Sequence, residues 1–226
     1  MSDSSITVWG VGTSRTLRVH WALHELGLKY MTEAIQARTG ETKTDAYTRL
    51  TPKQKVPFVQ DGALGLSESA AIAHYLFETY GADAGVWRPE TPAARAASDE
   101  WCYFIMTELD AHSLYVIRRH DDLRAIYGAA PEAVASAREY FLKQIGAVQA
   151  RIADVDSCLF GDRIAVADIL LTTVLIWANR YGIPLSDEAM AYCRRTIARD
   201  GFQKAFEHNY AHLPAAEWPV LPNAAS

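Results

Sequence analysis

The sequence predicts an α+β N-terminal domain followed by an all-α helical bundle, and three observations predict it. Up to residue 81, short β-type runs alternate with helical patterns. Residues 82–90 read as a linker. From residue 91 to 226 the apolar periodicity is almost entirely helical.

In the first domain, Ile6 and Val8 alternate with Thr7 and Trp9, as in a short strand. Thr13-Ser14 then offers helix caps, and Leu17, Trp21, Ala22 and Leu26 recur at helical spacing up to a stop at Gly27. Tyr30, Thr32 and Ala34 alternate again, completing a β-α-β unit suited to a parallel pair. A polar stretch from Arg38 to Arg49 follows. Val56-Pro57-Phe58-Val59 reads as a third strand, Asp61-Gly62 as a turn, and Leu64-Gly65-Leu66 as a short returning strand. Ser69 to Tyr80 is helical, with Ile72, Tyr75 and Leu76 on one face and Gly81 as its stop. The order β-α-β, connector, β-β-α is that of a thioredoxin-like domain.

In the second domain, Thr91-Pro92 is an N-cap with proline at the first helical position. Trp101, Ile105 and Leu109 form an i, i+4 stripe. A second helix starts at Pro131 and carries Phe141, Ile145, Val148 and Ile152. A third, Val166 to Tyr181, is apolar on all sides and is expected at the buried centre of the bundle. Shorter helices are expected near Asp187–Arg199 and Phe202–His212.

Composition narrows the function classes. Of 226 residues, 50% are hydrophobic and 22% charged, which excludes a disordered or low-complexity protein. The net charge of −5 argues against a general nucleic-acid binder. Met1 to Ser5 carries no basic run and no apolar stretch follows, so no secretory signal is expected. Ile164 to Ala178 is too short to span a bilayer and contains Asp168, so no membrane partner is expected either. Cys102, Cys158 and Cys193 are widely scattered, as reduced thiols in a cytoplasmic protein are. His20/His24 and His208/His212 have the i, i+4 spacing of metal pairs but no third ligand beside them, so they read as packed or solvated histidines and no metal is expected.

Three segments carry chemistry together. Gly12-Thr13-Ser14-Arg15-Thr16-Leu17-Arg18 places hydroxyls at a helix N-terminus, where backbone N–H groups favour an anion. Lys53-Gln54-Lys55-Val56-Pro57 puts a proline at the opening of an internal strand, where it cannot donate to the ladder. A cis Val56–Pro57 bond would leave the Val56 N–H and C=O free to pair with an extended peptide. In Ser67-Glu68-Ser69, Glu68 suits an ammonium group, while Ser69, expected as a helix cap, suits a carboxylate.

With these segments in this order, the chain resembles the cytosolic glutathione transferases of serine or threonine type, bacterial in style, over essentially its whole length. The resemblance is carried by Thr13-Ser14 with Arg18 and Trp21-Ala22-Leu23, by Lys55-Val56-Pro57, by Glu68-Ser69 with Ile72, and by Gly161-Asp162 with Val166-Ala167-Asp168-Ile169. It implies the glutathione transferase fold and a homodimer. It implies glutathione as co-substrate, no tightly bound cofactor, and detoxifying attack of the glutathione thiolate on a hydrophobic electrophile. Ser14 or Thr13 would hold the thiolate. Val56, with Pro57, would pair with the cysteinyl part; Glu68 and Ser69 would hold the γ-glutamyl end; Lys55 and Lys53 would meet the glycyl carboxylate, with Arg15 a further charge partner. The electrophile pocket would draw on Tyr103, Phe104, Thr107, His112 and Tyr115.

Two departures stand out. The family's Asn-Pro-x-Gly is Thr51-Pro52-Lys53-Gln54 here, so the loop lacks its glycine. Ala165 stands where the family's buried helix has a capping Ser or Thr, leaving Asp168 to reach back to backbone N–H groups. Two other readings share the scaffold: a glutathione-dependent disulfide reductase or peroxidase, and a non-catalytic binding module. The electrophile itself is not encoded legibly, since fold does not fix substrate.

Overall fold

The computed structural model describes residues 6–222. Met1–Ser5, read above for a leader, lies outside the described residues. The described residues divide into two units: residues 6–88 together with Ile197–Trp218, and Pro89–Thr196 with residues 219–222.

In the first unit, β1 (Ile6–Val11) leads to α1 (Ser14–Glu25), β2 (Met31–Gln36), α2 (Asp45–Leu50), β3 (Phe58–Asp61), β4 (Leu64–Ser67) and α3 (Ser69–Tyr80). Among the described residues these strands form a four-stranded sheet in the order β2-β1-β3-β4. β1 runs parallel to β2 and antiparallel to β3, which is antiparallel to β4. The thioredoxin-like order is thus present. β3 begins at Phe58, not at Val56, because Pro57 has no N–H to give the ladder. α1 ends as expected at Gly27, whose φ of +63° suits glycine. The N–H groups of Gly27 and Leu28 close the last turn on the carbonyls of His24 and Leu23. Ile6, Val8, Leu17, Trp21, Leu23, Ile72 and Leu76 supply the core between sheet and helices.

The segment 197–218 was expected within the helical domain, and the structure groups it with the first unit. The reason is its apolar stripe. In α10 (Asp200–Tyr210), Phe202 packs edge-on against Trp21 of α1 with ring centroids 4.9 Å apart, and Phe206 and Tyr210 continue the stripe.

The second unit is helical. Its elements are α4 (Pro92–Phe104), the short turns α5 (Tyr115–Ile117) and α6 (Arg124–Tyr127), then α7 (Pro131–Ala153), α8 (Val166–Arg180) and α9 (Asp187–Ile197), the last ending within the first unit. After α4 the chain continues through wider i→i+5 turns over Ile105–Leu114. Every residue of α8 from Val166 to Ala178 is buried, as expected of a bundle centre. Asp168 completes its start without a capping hydroxyl. Its carboxylate accepts from the N–H groups of Ala165 (2.7 Å) and Leu159 (2.8 Å) and from the Tyr192 hydroxyl. Among the described residues, no helix is long and apolar enough to cross a membrane.

Candidate functional site

Sheet register brings the three chemical segments of the first unit together. Trp9 of β1 faces Phe58 of β3, which faces Ser67 of β4. The C-terminal end of β1, the N-terminal end of β3 and the C-terminal end of β4 therefore share one end of the sheet. From that end leave the Thr13-Ser14 loop, the Val56–Pro57 bond and the Glu68-Ser69 turn.

Gly10 sets how closely they approach. A Cβ there would lie 2.6 Å from the Val56 Cβ and 2.9 Å from the Thr16 Cγ2, and its φ is +122°. Only glycine fits. The sequence reading missed this residue, although a glycine inside a strand pattern is a recognised sign of close backbone approach.

The two candidate hydroxyls have different fates. Thr13 is the N-cap of α1: its oxygen accepts from the Thr16 N–H at 3.0 Å, and the two side-chain oxygens lie 3.0 Å apart. Ser14 is the first helical residue. It is partly exposed, and its hydroxyl has no hydrogen-bond partner among the described residues. Arg15 follows it, also partly exposed.

The Val56–Pro57 bond is cis. Pro57 is buried and Val56 partly exposed. Among the described residues, neither backbone polar group of Val56 has a hydrogen-bond partner. The loop before it is held without the family's glycine. Gln54 adopts the left-handed conformation itself, with φ +51°. Its N–H donates to the Thr51 carbonyl (3.1 Å) and its Nε2 to the Thr48 hydroxyl (3.0 Å). The buried Tyr47 donates its hydroxyl to the Lys55 carbonyl at 2.7 Å.

Glu68 also takes a positive φ, +75°, and occupies the N-cap position of α3. Ser69, expected as the cap, is instead the first helical residue, because the turn out of β4 is made by the Glu68 backbone. Among the described residues no side chain caps this helix, so its first N–H groups stay available. Ser69 is buried, and its oxygen accepts from the buried Arg18 Nη1 at 3.4 Å. Lys53 pairs with Glu68 at 3.2 Å, both side chains more than half exposed, and Lys55 is exposed nearby in sequence.

Beside this end of the sheet sits a histidine cluster that the sequence reading treated only as two separate pairs. His20 is buried between the Gly10 carbonyl (Nε2, 3.1 Å) and the Tyr30 hydroxyl (Nδ1, 3.0 Å). The His208 ring lies 4.8 Å from it, centroid to centroid. Burial pushes the His20 imidazole down to about 3, against the pull of the Gly10 carbonyl, and lowers His24 and His208 as well.

The electrophile-pocket candidates belong to the second unit. Tyr103, Thr107 and His112 are exposed, Phe104 and Tyr115 partly so. His112 lines an open depression of about 390 Å³ with Val116, Ala133, Ser136, Ala137 and Tyr140; the other four candidates do not. Glu108 links His112, 3.7 Å away, to the Tyr140 hydroxyl. The three cysteines are buried and none is in a disulfide, and burial pushes the Cys102 and Cys193 thiols up to about 12. Among the described residues, no group of three or more His, Cys, Asp or Glu is placed to hold a metal ion.

The glutathione S-transferase N-terminal domain family matches residues 4–78. A maleylacetoacetate isomerase of Pseudomonas aeruginosa is 32% identical over 213 residues, covering 90% of this chain and 96% of that protein. Glutathione S-transferase theta-1 of Rattus norvegicus is 26% identical over 188 residues, 80% of this chain and 78% of its own. Among solved structures, the theta class glutathione S-transferase of Xanthomonas axonopodis pv. citri, with glutathione bound, superposes with a TM-score of 0.72 at 26% identity, covering 89% of this chain and 97% of that one.

Proposed function

Because the chain belongs to the glutathione transferase family, we propose that it binds glutathione and holds its thiol ionised through the Ser14 hydroxyl for attack on an electrophile. The observation that carries this reading is the pairing state of the two hydroxyls: Thr13 is engaged as a helix cap, while Ser14, in the first turn of α1, has a proton to give.

A free thiol titrates near ~8.5. Lowering that value by about 2 units takes roughly 2.7 kcal/mol of preference for the thiolate. One hydrogen bond to a charged acceptor, with a helix N-terminus beside it, is of that size. No general base is needed. The tripeptide's cysteinyl backbone pairs with the free Val56 N–H and C=O beside Pro57. Its γ-glutamyl ammonium meets Glu68 and its α-carboxylate the uncapped N–H groups at Ser69. Its glycyl carboxylate meets Lys55, Lys53 and Arg15. The Lys53–Glu68 pair is exposed, so it opens at little cost to accept the ligand. Tyr103, Phe104, Thr107, His112 and Tyr115 are assigned to electrophile recognition. The scattered thiols support a cytoplasmic setting, and family membership supports a homodimer.

A second reading has its own support in the 32% identity to a maleylacetoacetate isomerase. The same thiolate would add to the double bond of a cis-enone, the resulting single bond would rotate, and the thiolate would leave again. Glutathione is then regenerated and no group is transferred.

Calorimetry with glutathione, with thiolate absorbance followed against pH, tests the proposal. Tight binding with a thiol titrating well below its free value is expected in the wild type. Ser14→Ala should keep the binding, raise that titration and lower turnover about 100-fold. An unchanged Ser14→Ala enzyme overturns the assignment, and absent glutathione binding leaves a non-catalytic module. Rates on an aryl halide, a cis-enone and a mixed disulfide separate transferase, isomerase and reductase.

A further inference from the structure

Asn209, on α10, lies nearly 200 residues along the chain from the Thr13-Ser14 loop, yet it is fully buried against it. Its backbone carbonyl accepts from the Gly12 N–H at 2.8 Å. Its side-chain Nδ2 donates to the Thr13 carbonyl at 3.2 Å, and its Oδ1 accepts from the Thr16 hydroxyl at 2.7 Å.

We propose that Asn209 is a positioning residue for the thiolate-activating Ser14, acting through the Thr13–Ser14 peptide and the Thr16 hydroxyl; this rests on the functional reading above. The Thr13 carbonyl and the Ser14 N–H belong to one planar trans peptide and point in opposite directions. The Thr13 carbonyl accepts from Leu17 N–H at 3.0 Å and from Asn209 Nδ2, which occupies both its lone pairs. Held inward in this way, it turns the Ser14 N–H outward.

Proton routing favours the same serine. The single proton of Thr16 has two acceptors in reach, the Thr13 carbonyl at 2.8 Å and Asn209 Oδ1 at 2.7 Å; because two N–H donors already fill the carbonyl, it goes to Asn209 Oδ1. The Thr16 oxygen is then an acceptor. It takes the Thr13 N–H at 3.0 Å and, at the same distance, the Thr13 hydroxyl proton. The threonine of the pair is thus spent inside the protein, and the serine is left to donate outward. Leu213, 3.2 Å from where a Gly12 Cβ would stand, closes the other side of the loop.

The test compares Asn209→Ala, Thr16→Val and Thr16→Ser in the full-length protein, with glutathione as ligand. Expected for the first two are glutathione affinity close to wild type, a bound-thiol titration about 1 unit higher, hence about tenfold less thiolate below it, and an acid limb of kcat/KM moved to higher pH. Thr16→Ser keeps the hydroxyl and should restore the wild-type profile. A residue that mattered only for folding would lower activity equally at every pH. If Asn209→Ala does not fold, the Thr16 pair decides alone. A wild type with a lowered thiol titration that neither variant moves overturns the role of Asn209 and leaves the functional reading standing. A wild type that binds no glutathione overturns both.

Discussion

Arg199 grips Glu25 through two parallel hydrogen bonds, Nε to Oε1 and Nη2 to Oε2, each 2.8 Å long. The first of those oxygens also accepts the Trp21 indole N–H at 2.8 Å. The pair ties the start of α10 to the end of α1, as Asn209 ties the end of α10 to the start of α1. The C-terminal helix is thereby pinned antiparallel along the helix that presents Ser14.

The Glu25 side chain is only 7% exposed and that of Arg199 34%, so cutting the pair leaves a carboxylate nearly out of water. Arg199→Ala should cost about 2–3 kcal/mol, below the fully buried case because Arg199 is partly wet. Arg199→Lys should recover less than half, since one ammonium cannot make both bonds. Urea unfolding followed by circular dichroism checks this, and two wild-type midpoints would refute it.

Gly10→Ala is expected to be disproportionately harmful for a single methyl. The new Cβ would meet Val56 and Thr16 well inside contact distance, on a backbone with φ +122°. The expected loss is about 2 kcal/mol of stability together with at least about tenfold in glutathione affinity, because Val56 must move. Stability loss with wild-type affinity would show that Val56 does not set the ligand's place.

Acid should loosen the first unit through His20. Its imidazole is held neutral, with a folded value of about 3 against 6.5 when exposed. The unfolded chain therefore binds a proton that the folded one refuses. The stability contributed is complete above about pH 6.5 and falls as pH drops toward 3, with about 2 kcal/mol lost by pH 5 from this residue. His24 and His208, also lowered, add in the same direction. His20→Gln should flatten the dependence between pH 7 and 5 in urea titrations; a slope equal to wild type would exclude His20 as its source.

Much of the local structure is legible in the residues themselves. Alternation at Ile6–Trp9, the Thr13 cap, the Gly27 stop, the Thr91-Pro92 start and the apolar surround of α8 are each written within a few neighbours, because strand and helix periods and caps are short-range rules. So were the three site segments, whose residue types suit an anionic peptide. The left-handed Gln54 was not legible, because nothing local favours glutamine there over glycine until Thr48 and Thr51 are seen to hold it.

By itself, then, the sequence determined the order of elements, the segments that meet at the end of the sheet, and the two adjacent hydroxyls at the start of the first helix. Only the tertiary structure decided that residues 197–218 pack with the N-terminal unit, that Thr13 is engaged while the Ser14 hydroxyl is unpaired among the described residues, and that His20, His24 and His208 gather around Tyr30 as one cluster. Those outcomes depend on partners nearly 200 residues apart, such as Thr16 and Asn209. A hydroxyl's proton goes to whichever acceptor the fold brings within reach, and local pattern carries no record of that acceptor.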